Sequence, residues 1–280
     1  MRYIKLIIPL VVAGLIGIVM HCGLFATLWQ EEAARPDFKP RVSLITSLYK
    51  GDEFIEQFLE DMVSQTIFKK CELIIINANS PGNEEPVIKK YVKKYPYNIR
   101  YVRLEKDPGL YAVWNMCIQM ARADLIANAN VDDRRNPVSL EAQAQVLEDD
   151  PEIGLVYCPY HITPLPNQLF GKEKSFKLVD GPDFDPGFMR FCLPGPQPMW
   201  RKPLHEKYGY FREDFISAAD HEMWNRWTSS GVKFKRIAVA SGTYYYNPKG
   251  ASTSQDPLRV KRRREEDRFI VASYGHLWRV

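Results

Sequence analysis

Ala123-Asp124-Leu125-Ile126-Ala127-Asn128-Ala129-Asn130-Val131-Asp132-Asp133 is an apolar run that ends abruptly in amides and acids. Leu125, Ile126 and Ala127 have the character of a buried strand, and the chain leaves the sheet at Asn130. Burying Asp132 and Asp133 without partners would cost ~2 to 7 kcal/mol per polar group, and more for a charge. They therefore belong at a crevice that water or a cation reaches, and open α/β sheets bind ligands along that edge. Hard divalent cations such as Mg²⁺ and Mn²⁺ take oxygen ligands, commonly one or two carboxylates together with substrate phosphates. Two structural readings compete. The acids suit a surface turn capping a helix that starts near Pro137, or an exposed loop in which they pair with Arg134 or Arg135.

Upstream, residues 42–48 read as a strand, and Tyr49-Lys50-Gly51-Asp52 as the turn leaving it. Ile55, Phe58, Leu59, Met62 and Val63 recur at helical spacing. A second strand over 73–76 ends in Asn77-Ala78-Asn79-Ser80-Pro81-Gly82-Asn83, a sequence rich in turn formers. A helix over 84–94, a strand over 99–104 and a helix over 111–121 lead into the central strand. Right-handed crossovers turn this alternation into a mostly parallel sheet with helices on both faces, and they bring three polar strand ends to one edge.

The 280-residue chain carries a net charge of +4, with 38 basic and 34 acidic residues, which gives no electrostatic footprint for nucleic acid. Cys22, Cys71, Cys117, Cys158 and Cys192 have no zinc or iron–sulfur spacing. Residues 6–29 are almost continuously apolar, the length that crosses a ~30 Å hydrocarbon core. Arg2 and Lys5 precede them, so we expect a single-pass signal anchor after a short cytoplasmic segment, 1–5. A cleaved signal is the competing reading, with Leu24-Phe25-Ala26 a poor cleavage site. A linker over 30–40, a folded body over 41–254 and a basic segment over 255–280 complete the expected organisation. The segment over 159–203 is rich in Pro, Gly and aromatics, reads as a long irregular loop and suits binding. Its aromatics Phe184, Phe188, Phe191 and Trp200 suit either flat apolar faces for a ligand or ordinary core material.

In this order the motifs resemble family 2 glycosyltransferases. Val42-Ser43-Leu44-Ile45 with Tyr49 resembles the family's opening strand, and Gln65-Thr66 the close of its first helix. The resemblance implies the GT-A fold, with a nucleotide-binding sheet and an acceptor-binding region. It implies donor contacts from Ser47, Tyr49, Asn77, Asn79, Asn115 and Asn130. Asn77 and Ala78 stand where the family generally has acids, and Trp114 precedes Asn115 where it often has Arg. Asn130-Val131-Asp132-Asp133 resembles the metal-binding Asp-x-Asp, which implies Mn²⁺ or Mg²⁺ at Asp132 with Asn130 in the weakened first position. The segment over 241–252 resembles one that often carries His; here Asn247 occupies that neighbourhood, with Lys249 a possible diphosphate contact.

Ala218-Ala219-Asp220-His221 resembles the family's Glu-Asp element, which implies that Asp220 is the catalytic base. Chemistry gives that acid a reason, because an attacking hydroxyl must lose a proton while the departing diphosphate is already a good leaving group. The expected function is inverting, metal-assisted transfer from a nucleotide-diphosphate sugar, a UDP-sugar in the first place, to a carbohydrate or lipid-linked acceptor. For Asp220 alone, a helix-cap role is the plain alternative, with His221 a secondary candidate. Two other functions remain open: nucleotidyl transfer to a sugar phosphate, and a carbohydrate-binding pseudoenzyme.

Overall fold

A computed structural model describes residues 38–172 and 177–278. The expected anchor over 6–29 lies outside the described residues, and among them no helix is long and apolar enough to cross a membrane.

The alternation read upstream of Asn130 is present. Strands β1 (Val42–Leu48), β2 (Cys71–Asn77), β3 (Ile99–Arg103) and β4 (Leu125–Asn128) alternate with helices α1 (Ile55–Val63), α2 (Glu85–Lys94) and α3 (Leu110–Met120). Then come the two-residue β5 (Arg134–Arg135), α4 (Ser139–Asp149), β6 (Ile153–Tyr157), β7 (Tyr160–Thr163) and β8 (Lys177–Val179). The chain continues with β9 (Met199–Arg201), α5 (Pro203–Tyr208), α6 (Ala219–Ser229), β10 (Lys233–Arg236), β11 (Gly242–Tyr245) and α7 (Pro257–Tyr274). The central sheet has seven strands in the order β10-β6-β9-β4-β1-β2-β3, with β9 antiparallel to both its neighbours and the remaining pairs parallel. A smaller sheet, β5-β11-β7-β8, stands beside it.

Helices cover both faces, so strands such as β2 are buried along their whole length and read as continuous apolar runs. Val113, Cys117 and Ile118 of α3 pack with Met223, Trp224 and Trp227 of α6 on one face. Phe58 and Leu59 of α1, Ile88 of α2 and Leu140 of α4 pack on the other. The amino edge is closed by a polar knot in which the buried Glu72 carboxylate accepts from Ser43 Oγ at 2.5 Å, Arg122 N at 2.6 Å and Arg122 Nε at 2.9 Å. The carboxyl edge is left for the site.

One expectation is corrected here, and one open alternative is decided. Residues 159–203 are not irregular: β7, β8, a 3-10 turn (Pro186–Phe191) and β9 lie within them, because β9 finds backbone partners on both β4 and β6. Trp200 belongs to the core, fully buried with its Nε1 donating to His205 Nε2 at 2.8 Å, and Phe184 packs on Phe234. Of the four aromatics weighed for binding, Phe191 is the exposed one.

Candidate active site

Three strand ends and the start of one helix build the site. At the first, β1 delivers half-buried Ser47 and exposed Tyr49 to a turn in which Lys50 adopts φ +54°. That turn is held from below. Lys50 N donates to Ser80 Oγ at 2.8 Å, Gly51 N donates to Glu84 Oε1 at 2.8 Å, and Ser80 Oγ donates to the same oxygen at 2.6 Å. Asn77 completes the network, its Oδ1 accepting from Ser80 N at 2.7 Å and its Nδ2 donating to Tyr101 Oη at 3.2 Å.

Asn77 is fully buried, so both ends of its amide serve the loop instead of facing the crevice. Exposed Asn79, at φ +54° beside Arg103, is the amide this strand end presents outward. Asn115 is similarly engaged. Its Nδ2 donates to Phe211 O and Glu213 Oε1, both at 2.9 Å, and its Oδ1 accepts from Phe211 N at 3.1 Å. The amide therefore braces the chain ahead of α6. Trp114 beside it packs into a cluster with Tyr111 and Phe211.

The acidic cluster follows β4, and neither structural alternative describes it. Helix α4 begins at Ser139, and its preceding residue, Val138, makes no side-chain cap, so the acids do not cap it. No ion pair joins Asp132 or Asp133 to the arginines that follow. Arg134 and Arg135 are themselves buried, and their guanidinium groups bond backbone carbonyls: Arg134 Nη1 donates to Val131 O at 3.0 Å, and Arg135 Nη2 donates to Asn128 O at 2.8 Å.

The acids instead accept from amides. Asp133 Oδ2 takes Asn130 Nδ2 at 3.0 Å and its Oδ1 takes the β11 backbone at Tyr245 N at 3.1 Å, while Asp132 Oδ2 takes Asn247 Nδ2 at 3.0 Å. Gly242 makes the approach of β11 possible, since a Cβ there would stand 2.1 Å from Arg134 O. Burial raises both carboxyl pKa values, and the charge of Asp132 pushes Asp133 further.

This arrangement fits a hard cation. Two adjacent acids without a paired guanidinium, one of them half-exposed, make a local charge deficit lined by oxygen donors. Among the described residues no group of three or more His, Cys, Asp or Glu is placed to hold a metal ion. A cation here would thus take one or two protein oxygens and complete its shell from diphosphate and water.

Asp220 opens α6. Its Oδ1 accepts from His221 N at 2.9 Å and lies 3.5 Å from Tyr111 Oη, and burial raises the carboxyl pKa. The helix has no side-chain cap, and Ala218 occupies the position that Asp220 would need for that role. His221 points away: its Nε2 is 2.7 Å from Met189 O and its ring stacks on Trp278. Burial raises the Tyr160 phenol to about 12 and pushes the Cys192 thiol up as well.

Glu84, which holds the turn after β1, was missed in the sequence, and the inward course of Arg134 and Arg135 could not be read there. Glu266 was missed as well. It is almost fully buried on α7, where its carboxylate accepts from Ile216 N, Ser217 N and Ala218 N at 2.6, 3.1 and 2.9 Å.

Comparison with known proteins identifies the family. Residues 43–207, more than half of the chain, match the model of glycosyl transferase family 2. The chain belongs to that family and is a glycosyltransferase. An uncharacterized glycosyltransferase of Methanocaldococcus jannaschii is 26% identical over 202 residues, 71% of this chain and 68% of that protein. The uncharacterized glycosyltransferase YwdF of Bacillus subtilis is 26% identical over 242 residues, 82% of each chain.

Among solved structures, S. aureus TarS 1-349 in complex with UDP-GlcNAc matches with a TM-score of 0.64 at 15% identity, covering 84% of this chain and 72% of that one. The mannosyltransferase PcManGT of Pyrobaculum calidifontis, in complex with GDP-Man and Mn²⁺, matches with a TM-score of 0.58 at 16% identity, covering 80% and 62%. At those identities the likeness is one of fold, and the mostly parallel helix-covered sheet is GT-A-like. The chain spans 60% of the TarS 1-349 chain in another of its structures.

Proposed function

We propose that this glycosyltransferase inverts configuration at the anomeric carbon, moving a sugar from a nucleotide-diphosphate donor, a UDP-sugar first, to an acceptor hydroxyl. The observation that carries the reading is the Asp220 carboxyl at the start of α6, held by the His221 amide and raised by burial. A raised carboxyl is a stronger base, nearer the operating pH than an ordinary aspartate. Asp220 takes the acceptor's proton as the new C–O bond forms. The bond from the anomeric carbon to the diphosphate oxygen breaks on the opposite face, and its electron pair leaves with the nucleotide. Tyr111 and the His221 N–H keep the carboxylate aimed.

Asp132, with Asn130 beside it, would hold Mn²⁺ or Mg²⁺, which when bound neutralises charge on the diphosphate oxygens. That donors in the solved neighbours are UDP-GlcNAc and GDP-Man, the latter with Mn²⁺, supports this assignment of donor class and cation. Ser47, Tyr49 and Asn79 meet the nucleotide, while Asn77 and Asn115 support the loops that bind it. Residues 6–29 tether the enzyme to a membrane, which suits a lipid-linked or surface carbohydrate acceptor. Incubating the purified protein with UDP- and GDP-sugars and acceptor mixtures, with and without Mn²⁺, tests the reading. Transfer that needs the cation and yields the inverted anomer is expected; retention of configuration, or no transfer and no donor hydrolysis with any of them, would overturn it.

A further inference from the structure

The loop that launches α6 has no cap of its own, yet its amides are not left open. Ile216, Ser217 and Ala218 all donate to one carboxylate, Glu266, some fifty residues later on α7. Asp220 lies two residues beyond the last of them. We infer that Glu266 is a positioning residue for the reaction: from the C-terminal helix it fixes residues 216–218 and so sets where the Asp220 carboxylate points. The inference rests on Asp220 being the base.

Several contacts make α7 a stiff support for this purpose. Ile270, one turn on from Glu266, is buried, and Phe269 packs edge-on against Phe215 at 5.6 Å. Tyr274 Oη donates to Glu222 Oε1 at 2.8 Å and Trp278 Nε1 to Asn225 Oδ1 at 2.9 Å, both on α6. One turn before Glu266, Arg263 Nη1 donates to Ser252 O at 2.5 Å and to Ser254 O at 3.4 Å. That loop begins at Asn247, the partner of Asp132. One face of α7 thereby holds both the loop before Asp220 and the loop that follows Asn247.

The chemistry of the contact makes it selective for a carboxylate. Three N–H donors need acceptors, and a carboxylate has lone pairs on both oxygens. Glutamine turns one oxygen into an NH₂ that meets at least one backbone N–H donor to donor, so the loop must shift. Aspartate keeps both acceptors but is one methylene short.

The test uses the full chain in detergent, as wild type, Glu266→Gln, Glu266→Asp and Asp220→Asn, with melting curves to establish folding. In protein carrying ¹³C-carboxyl aspartate, the resonance missing from Asp220→Asn identifies Asp220. The groups facing it are Tyr111 from α3, Cys192 after the 3-10 turn, His221 on its own helix and, through the loop, Glu266. In wild type the midpoint should lie above that of an ordinary aspartate. In Glu266→Gln it should fall by about one pH unit as the carboxylate gains water, and in Glu266→Asp it should lie between.

Release of UDP from UDP-N-acetylglucosamine should show kcat reduced about tenfold or more in Glu266→Gln with donor KM nearly unchanged, and partial recovery in Glu266→Asp. A wild-type midpoint in folded Glu266→Gln would overturn the positioning role whatever the rates. If Glu266→Gln does not fold, a wild-type midpoint in Glu266→Asp overturns it equally. Wild-type turnover in Asp220→Asn would instead remove the base assignment, and the titration separates that failure from failure of the Glu266 inference.

Discussion

Asp220 is a half-buried carboxyl that accepts hydrogen bonds from one backbone N–H and one phenol, and its two candidate roles predict opposite outcomes at the level of a single side chain. As the base, Asp220→Asn should leave donor affinity intact and lower turnover by ~10²-fold or more, since an amide keeps the shape but accepts no proton at neutral pH. Stability should move the other way. Because burial raises this carboxyl above its unfolded value, its contribution is most favourable below the unfolded pKa and is lost as pH rises through the folded one. At pH 7.5 the substitution should therefore hold or raise the melting temperature. A melting temperature that drops with turnover unchanged would return Asp220 to a structural role.

Asp132 makes a second prediction at the same scale. Titration calorimetry with UDP and Mn²⁺ should show coupled binding that Asp132→Ala weakens by ~10-fold, about 1.4 kcal/mol. Equal coupling in both proteins would remove the metal role from this side chain.

At the scale of elements, the site depends on two contacts that no local pattern reveals. β11 reaches the acidic cluster only because Gly242 lets its backbone pass against Arg134. Gly242→Ala should push β11 outward, break the Tyr245 N–H bond to Asp133, and lower the melting temperature along with nucleotide–Mn²⁺ affinity; unchanged values of both would show that the close approach is dispensable. Helix α7 is the other contact. It presents inward Arg263, Glu266 and Ile270, two charged residues and one apolar one, so it carries no apolar stripe to be read as a buried face. Ile270→Ala should cost ~2 to 5 kcal/mol if the cavity does not collapse. Amide exchange should quicken at residues 216–222, and a loss confined to α7 itself would argue that the helix is a passive cover.

For the whole molecule, the expectation is an enzyme held at a membrane by residues 6–29. Mass analysis of the mature protein from native membranes should find that segment intact; an N-terminus after residue 26 would exclude the anchor. The basic residues of α7 are a separate matter, because Arg263 is drawn to backbone carbonyls of the body.

Across the chain, the sequence by itself determined the alternation of strands and helices as far as Asn130 and the acidic turn at the end of β4, because apolar periodicity and turn chemistry are local properties. The family's motifs followed from the same local signals. Only the tertiary structure decided what each polar side chain does. Asn77 and Asn115 have ligand chemistry by type, but their amides are held by backbone and tyrosine partners brought from elsewhere in the chain. Arg134 and Arg135 look like salt-bridge partners in sequence, yet the fold turns them to carbonyls and leaves Asp132 and Asp133 without a paired cation. Glu266 reads as one charge among many on a basic helix until α7 packs against the loop before Asp220. A hydrogen bond is satisfied by whatever donor or acceptor the fold brings within about 3 Å, and contacts separated by fifty or a hundred residues leave no periodicity in the sequence from which to read them.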